Sequence, residues 1–121
     1  MRVLLDSCIL IDFLSGRAAA RAYLAELDGA AISLVTWMEV VVGATTAEEE
    51  AVVRTFLSGF VLLPVEGEVA EEAVALRRAK RLKLPDAIIL ASARVHGLVL
   101  ATRNTKDFDA TDAGVLVPYE V

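Results

Sequence analysis

Cysteine, proline and histidine are all scarce in this sequence. The lone cysteine, Cys8, excludes an internal disulfide framework and suits a reducing compartment. Three prolines among 121 residues, with 56% hydrophobic side chains, exclude a Pro-rich linker and a chain too polar to fold. Long apolar runs are missing too. The segment Cys8–Leu10 lies between Asp6 and Asp12, and nothing approaches the roughly 20 residues of a membrane span. No cationic stretch leads into an apolar one at the start, so no secretory signal is expected. Together these features predict a cytoplasmic protein with no membrane association. Positive charge is also in deficit: 12 Lys and Arg face 17 Asp and Glu, for a net charge of −5. A protein that grips nucleic acid by its overall charge is therefore disfavoured, although metal ions that neutralise carboxylates let an acidic protein accept a polyanion.

What is present is a regular alternation of apolar and amphipathic segments, without repeats or linkers, so residues 1–121 read as one domain. A short buried strand is predicted over Arg2–Asp6 and a helix over Ser7–Leu14, broken at Ser15-Gly16. Ala19, Tyr23 and Leu27 recur at helical spacing within Ala18–Leu27. Ala31–Val35 is a second strand, followed by a helix from Thr36 to Gly43 that Thr36 and Glu39 open as a capping box. Thr46 and Glu49 form another box, starting a helix to about Ser58. Val61–Val65 is β-branched and apolar. Gly67–Leu82 carries Val69, Ala73 and Leu76 on one helical face, with basic residues towards its C-terminal end. Pro85 starts a further helix that is apolar on most sides, runs to His96 and closes at Gly97. Strands at Leu98–Ala101 and Val115–Val117 complete the pattern. Continuous apolar strands alternating with helices predict an α/β fold with a largely parallel sheet covered on both faces. Ligands of such folds sit beyond the carboxyl ends of the strands.

Four acids stand where that rule points. Asp6 ends the first strand, Glu39 falls in the first turn of the helix after the second, Asp86 opens the buried helix, and Asp107 follows the fourth strand. Each also suits a local structural role. Asp6 and Glu39 match helix caps, Asp86 matches a favourable charge at a helix start, and Asp107 matches a turn residue. Their common placement at strand exits is what the local roles leave unexplained. A carboxylate set without His or Cys ligands suits Mg2+ or Mn2+ and not zinc.

At these residues the sequence resembles the PIN-domain ribonucleases, and its length is similar to the VapC-like toxins of toxin–antitoxin pairs. The resemblance is carried by Val3–Asp12, by Ile32–Gly43 around Glu39, by Leu84–Ala91 around Asp86, and by Leu100–Phe108. It implies a three-layer fold with a central, mostly parallel sheet of about five strands flanked by helices. It implies that Asp6, Glu39, Asp86 and Asp107 hold Mg2+ or Mn2+, directly or through water, while Thr102 orients the pocket. Asn104, where some relatives carry an acid, and Asp12, as a polar rim residue, are expected to support the site. Hydrolysis of RNA would leave a 5′-phosphate and a 3′-hydroxyl. A VapB-like antitoxin and a homodimer are the partners the resemblance implies, with the helices at Ala18–Leu27 and Thr46–Ser58 as a candidate dimer face.

The basic run Arg77, Arg78, Lys80, Arg81 and Lys83 leads into Pro85-Asp86 and is a candidate for holding the RNA backbone; a solvated helix face is the other reading. Arg103 and Lys106 are further candidates. Cys8 is expected to be a small buried hydrophobe, and Trp37 and Tyr23 core or interface residues. A serine nucleophile at Ser7 lacks a base, since His96 sits at a helix end. A receiver-like Mg2+-binding module would need paired acids near the first strand and an Asp after the third, where Val61–Glu66 stands. A dehalogenase-type phosphatase would need Asp two residues after Asp6, where Cys8 stands. The remaining alternative is a catalytically silent PIN fold serving as an interaction module.

Overall fold

The strands are only two or three residues long, yet nearly every side chain they present is apolar, because helices cover both faces of the sheet. The computed structural model describes residues 2–121. β1 (Val3–Leu5) leads into α1 (Ser7–Leu14) and α2 (Ala18–Glu26). β2 (Ala31–Ser33) is followed by α3 (Leu34–Val42) and α4 (Ala47–Leu57). β3 (Val61–Leu63) precedes the helical pair α5 (Gly67–Lys80) and α6 (Leu84–Val95), and the chain ends with β4 (Val99–Ala101) and β5 (Val115–Leu116).

The sheet is parallel throughout, in the order β3-β2-β1-β4-β5. The chain moves outward from β1 through β2 to β3, then crosses back to lay β4 on the other side of β1. That reversal opens a crevice at the carboxyl ends of β1 and β4. Alternation along the strands divides the core in two. Leu4 and Leu100 face the layer with Val69, Leu76, Ile89 and Phe108; Leu5 and Ala101 face Ile9, Leu10, Val40 and Leu57 on the other side. Burying one such Leu completely contributes about 1.5–3 kcal/mol, and Leu4, Leu5 and Leu100 are all at 0% exposure. The three-layer arrangement therefore follows from period-2 strands packed between helices.

Three details depart from the sequence expectations. Ser33, not Thr36, caps α3: its Oγ accepts the Val35 N–H at 3.2 Å. The helix thus begins inside the predicted strand, Glu39 moves into its second turn, and Thr36 becomes a buried helical residue whose hydroxyl has no partner. The second capping box forms in part: Thr46 accepts the Glu49 N–H at 3.0 Å, but the Glu49 carboxylate reaches back to the N–H of Thr45 at 2.8 Å. Helix α5 stops at Lys80 because Arg81 adopts a left-handed conformation, with φ 56°, and turns the chain towards α6. Among the described residues no helix is long and apolar enough to cross a membrane.

Candidate active site

Asp6 is the first residue after β1, and its position is decided by the neighbouring strand. The pairing of Leu5 with Ala101 makes Asp6 and Thr102 neighbours across the two strand ends. The Asp6 N–H donates to the Ala101 carbonyl at 3.0 Å. Its carboxylate is both a helix cap and part of a network. Oδ1 accepts the Ser7 N–H at 2.8 Å, and Oδ2 accepts the Thr102 hydroxyl at 2.7 Å. Thr102 is fully buried and its Oγ1 also accepts the Asn104 N–H at 2.9 Å. Asn104 in turn donates from Nδ2 to Asp107 Oδ2 at 3.0 Å and accepts the Asp107 N–H at 3.3 Å. The uncharged Asn104 thus orients an acid instead of adding one.

Asp86 lies in the first turn of α6, behind Pro85, where the positive end of the helix dipole favours an anion. Glu39 reaches in from α3. Asp6, Glu39, Asp86 and Asp107 all line one open pocket of about 590 Å³, together with Lys83 and Lys106. Crowding is visible in the acidities. Desolvation, then the charges of Asp107 and Asp6, push Asp86 above the usual carboxylate range, with Lys83 opposing. Glu39 is an exposed residue that lines the pocket, and its carboxyl is pushed up by desolvation and then by Asp6 and Asp86, with the Ser7 hydroxyl opposing.

The donor set is the kind that hard divalent cations take: carboxylate oxygens, mutually repelling, with an amide oxygen nearby. Among the described residues, however, no three His, Cys, Asp or Glu side chains converge closely enough to grip one ion directly. The residues fit an ion that keeps part of its water shell, as Mg2+ commonly does, so that some carboxylates act through water. They do not make a closed, all-protein cage.

The basic candidates separate. Lys83, Arg103 and Lys106 line the pocket, whereas Arg77, Arg78, Lys80 and Arg81 are exposed at the end of α5 outside it. Arg103 is not a free phosphate contact: its guanidinium forks onto Asp12, from Nε to Oδ2 at 2.7 Å and from Nη2 to Oδ1 at 2.9 Å. Asp12 itself is 5% exposed and does not line the pocket, so the expectation of a polar rim residue is corrected. Its carboxyl group is held below the usual range, first by the Arg103 bonds and then by the Tyr119 hydroxyl at 2.8 Å.

Cys8 also differs from a plain buried hydrophobe. It lines the pocket half-buried, with Sγ 3.5 Å from Asp6 Oδ2 and 3.6 Å from Thr102 Oγ1. Burial, then the Asp6 charge, pushes its thiol pKa up, which keeps it protonated and unreactive at neutral pH. His96 sits at the end of α6 with Nδ1 2.9 Å from the Ser92 carbonyl, in no catalytic company. Trp37 is half-buried beneath the Arg54 guanidinium, 5.0 Å from its ring centre. Tyr119 is the residue that sequence reasoning missed; no periodicity or motif in its tail announced it.

Comparison with known proteins supplies the remaining observations. A sequence model of the PIN domain matches residues 3–114. A Mycobacterium tuberculosis protein named Ribonuclease VapC10 is 39% identical over 114 residues, covering 88% of this chain and 85% of the relative. Ribonuclease VapC1 of Methanocaldococcus jannaschii is 26% identical over 113 residues, covering 89% of this chain and 79% of the relative. Among solved structures, a toxin–antitoxin complex from Klebsiella pneumoniae contains a chain that is 51% identical, with a TM-score of 0.92 and coverage of 98% and 99% of the two chains.

Proposed function

The chain belongs to the PIN-domain family, and on that premise we propose that it is a metal-dependent ribonuclease acting as the toxin of a toxin–antitoxin pair. The observation that carries this reading is the meeting of Asp6, Glu39, Asp86 and Asp107 in one pocket at the carboxyl end of the sheet. The naming of VapC10 as a ribonuclease and the toxin–antitoxin complex from Klebsiella pneumoniae support the choice of activity and partner.

Bound Mg2+ or Mn2+ would supply positive charge for the phosphodiester and make a water more acidic. The four carboxylates would hold the ion, some through water. Asp6 is held in one rotamer by Ser7 and Thr102, and Asp107 by Asn104, so neither has to be ordered during the reaction. Lys83 and Lys106 stand at the pocket and would meet the RNA backbone, while the exposed basic residues at the end of α5, outside the pocket, would hold RNA only beyond it. An inhibiting antitoxin would do well to bring a cation to the same carboxylates. A homodimer belongs to the same proposal and is checked by light scattering.

The test is incubation of the purified, inhibitor-free protein with a mixed cellular RNA pool in Mg2+, Mn2+ or EDTA, mapping new 5′ ends, beside an Asp6→Asn variant. Discrete cuts that need metal and vanish in the variant are expected. A folded protein that binds Mn2+ but cuts nothing in that pool would favour the interaction-module alternative.

A further inference from the structure

Residues 102–107 leave the sheet after the bond from the Thr102 N–H to the Leu116 carbonyl at 2.9 Å. Beyond it, the backbone-to-backbone bonds of the segment are local, Thr105 N–H to Arg103 and Phe108 N–H to Asn104, and the Arg103 N–H reaches the side chain of Cys8 in α1, 3.5 Å from its Sγ. Yet this segment carries Thr102, Asn104 and Asp107, and must face Asp6 across a gap between elements. Side chains therefore set its orientation.

Two consecutive residues of the segment are attached to α1 at two heights. Thr102 is bonded to Asp6 at the helix start. Arg103 forks onto Asp12, six residues later and roughly 9 Å along the helix axis. One attachment leaves a pivot; two remove the rotation. The second attachment is itself braced. Tyr119 donates its hydroxyl to Asp12 Oδ2 at 2.8 Å, and Arg17 Nε stands 3.4 Å from Oδ1. Tyr119 also packs at 6.3 Å against Tyr23 of α2, so the C-terminal tail ties the cluster to the helical layer. A planar guanidinium fork fixes angle as well as distance, which a Lys in the same place cannot do.

We infer that Asp12, Arg103 and Tyr119 form a positioning clamp that holds the Thr102–Asp107 segment in register with Asp6, and thereby sets how tightly the carboxylate pocket takes its divalent ion. This rests on the ribonuclease reading for its effect on turnover, but not for its effect on metal binding. Asp12 and Tyr119 lie outside the pocket lining, and the Arg103 guanidinium at its edge is committed to Asp12, so the clamp acts through Thr102, Asn104 and Asp107.

Arg103→Lys keeps the charge and loses the fork, and Tyr119→Phe loses one hydroxyl. Each is compared with the wild type by Mn2+ calorimetry on the isolated protein, by kcat and KM on a cleaved RNA, and by thermal unfolding. Both variants should unfold cooperatively, bind Mn2+ about 10-fold more weakly, and lose about 10-fold in kcat at fixed subsaturating metal, with KM within about twofold of wild type. A folded Arg103→Lys with Mn2+ affinity and kcat within twofold of wild type overturns the clamp. So does a change confined to KM, which would make Arg103 an RNA contact. If Arg103→Lys does not fold, Tyr119→Phe decides by the same readouts. A wild type that cuts no RNA would sink the ribonuclease reading alone, since calorimetry still reads the clamp.

Discussion

Replacing Thr102 by Val removes one hydroxyl and keeps nearly the same volume. Thr102 is at 0% exposure, so water cannot take over its bonds. Its hydroxyl donates to Asp6 Oδ2 at 2.7 Å and accepts the Asn104 N–H at 2.9 Å. A hydrogen bond to a charged group contributes about 1.5–3 kcal/mol, and a partly buried N–H left unpaired costs about 1 kcal/mol. Thr102→Val should therefore lose about 2.5–4 kcal/mol. Thr102→Ser keeps both bonds and drops one methyl, for a loss of about 1 kcal/mol. Urea unfolding followed by circular dichroism, in metal-free buffer, gives both values, with equal slopes as the check that the unfolded states match. The gap between the variants should be about 1.5 kcal/mol or more in favour of Ser. If Val is as stable as Ser, the hydroxyl is not what fastens the end of β4 to Asp6.

Other consequences follow from the same geometry. Glu39 and Asp86 have folded pKa values above their ordinary 4.5 and 3.8, so the stability they contribute is present below those values and lost as pH rises through the raised ones. Asp12 is depressed below its ordinary 3.8, so its contribution is present above that value and lost as pH falls through the folded one. Metal-free protein should consequently gain urea resistance as pH falls through the raised Glu39 and Asp86 values, and lose it as pH falls below the ordinary 3.8 of Asp12; Asp12→Asn should flatten that lower limb in part, because Asp109 and Asp112 are depressed as well. Asp86→Asn removes a carboxylate that its neighbours repel, and should raise the unfolding midpoint in EDTA at pH 7 while abolishing cleavage; a lowered midpoint would show that the helix dipole and Lys83 outweigh the repulsion. Arg81→Gly relieves the left-handed residue after α5 and should stabilise by about 0.5–1 kcal/mol in the same assay. Lys83→Ala with Lys106→Ala should raise KM for RNA and reduce the dependence of log KM on log salt by about 0.7 per lost contact, leaving kcat within a few-fold; an unchanged salt slope would remove both from the RNA path.

Much of this was legible along the chain. Continuous apolar strands between helical stripes required a sheet covered by helices on both faces; Asp6, Glu39 and Asp107 each followed a strand within about six residues, and Asp86 opened a helix behind Pro85, placements that are local in sequence. Local chemistry misled where two caps competed. Ser33 and Thr36 can both open a helix, and packing chose Ser33 by burying Thr36 in the helical interior. What no local pattern contains is strand order. Placing β4 against β1 made Thr102 the partner of Asp6, although 96 residues separate them. The same packing set the Arg103 guanidinium on Asp12, which also accepts the Tyr119 hydroxyl, and the spacings of these residues along the chain carry no period. Sequence determined which groups were available and at which ends of the elements; the parallel pairing and the two packed layers decided which of them could touch, because a carboxylate's partner is set by distance in space and not by separation along the chain.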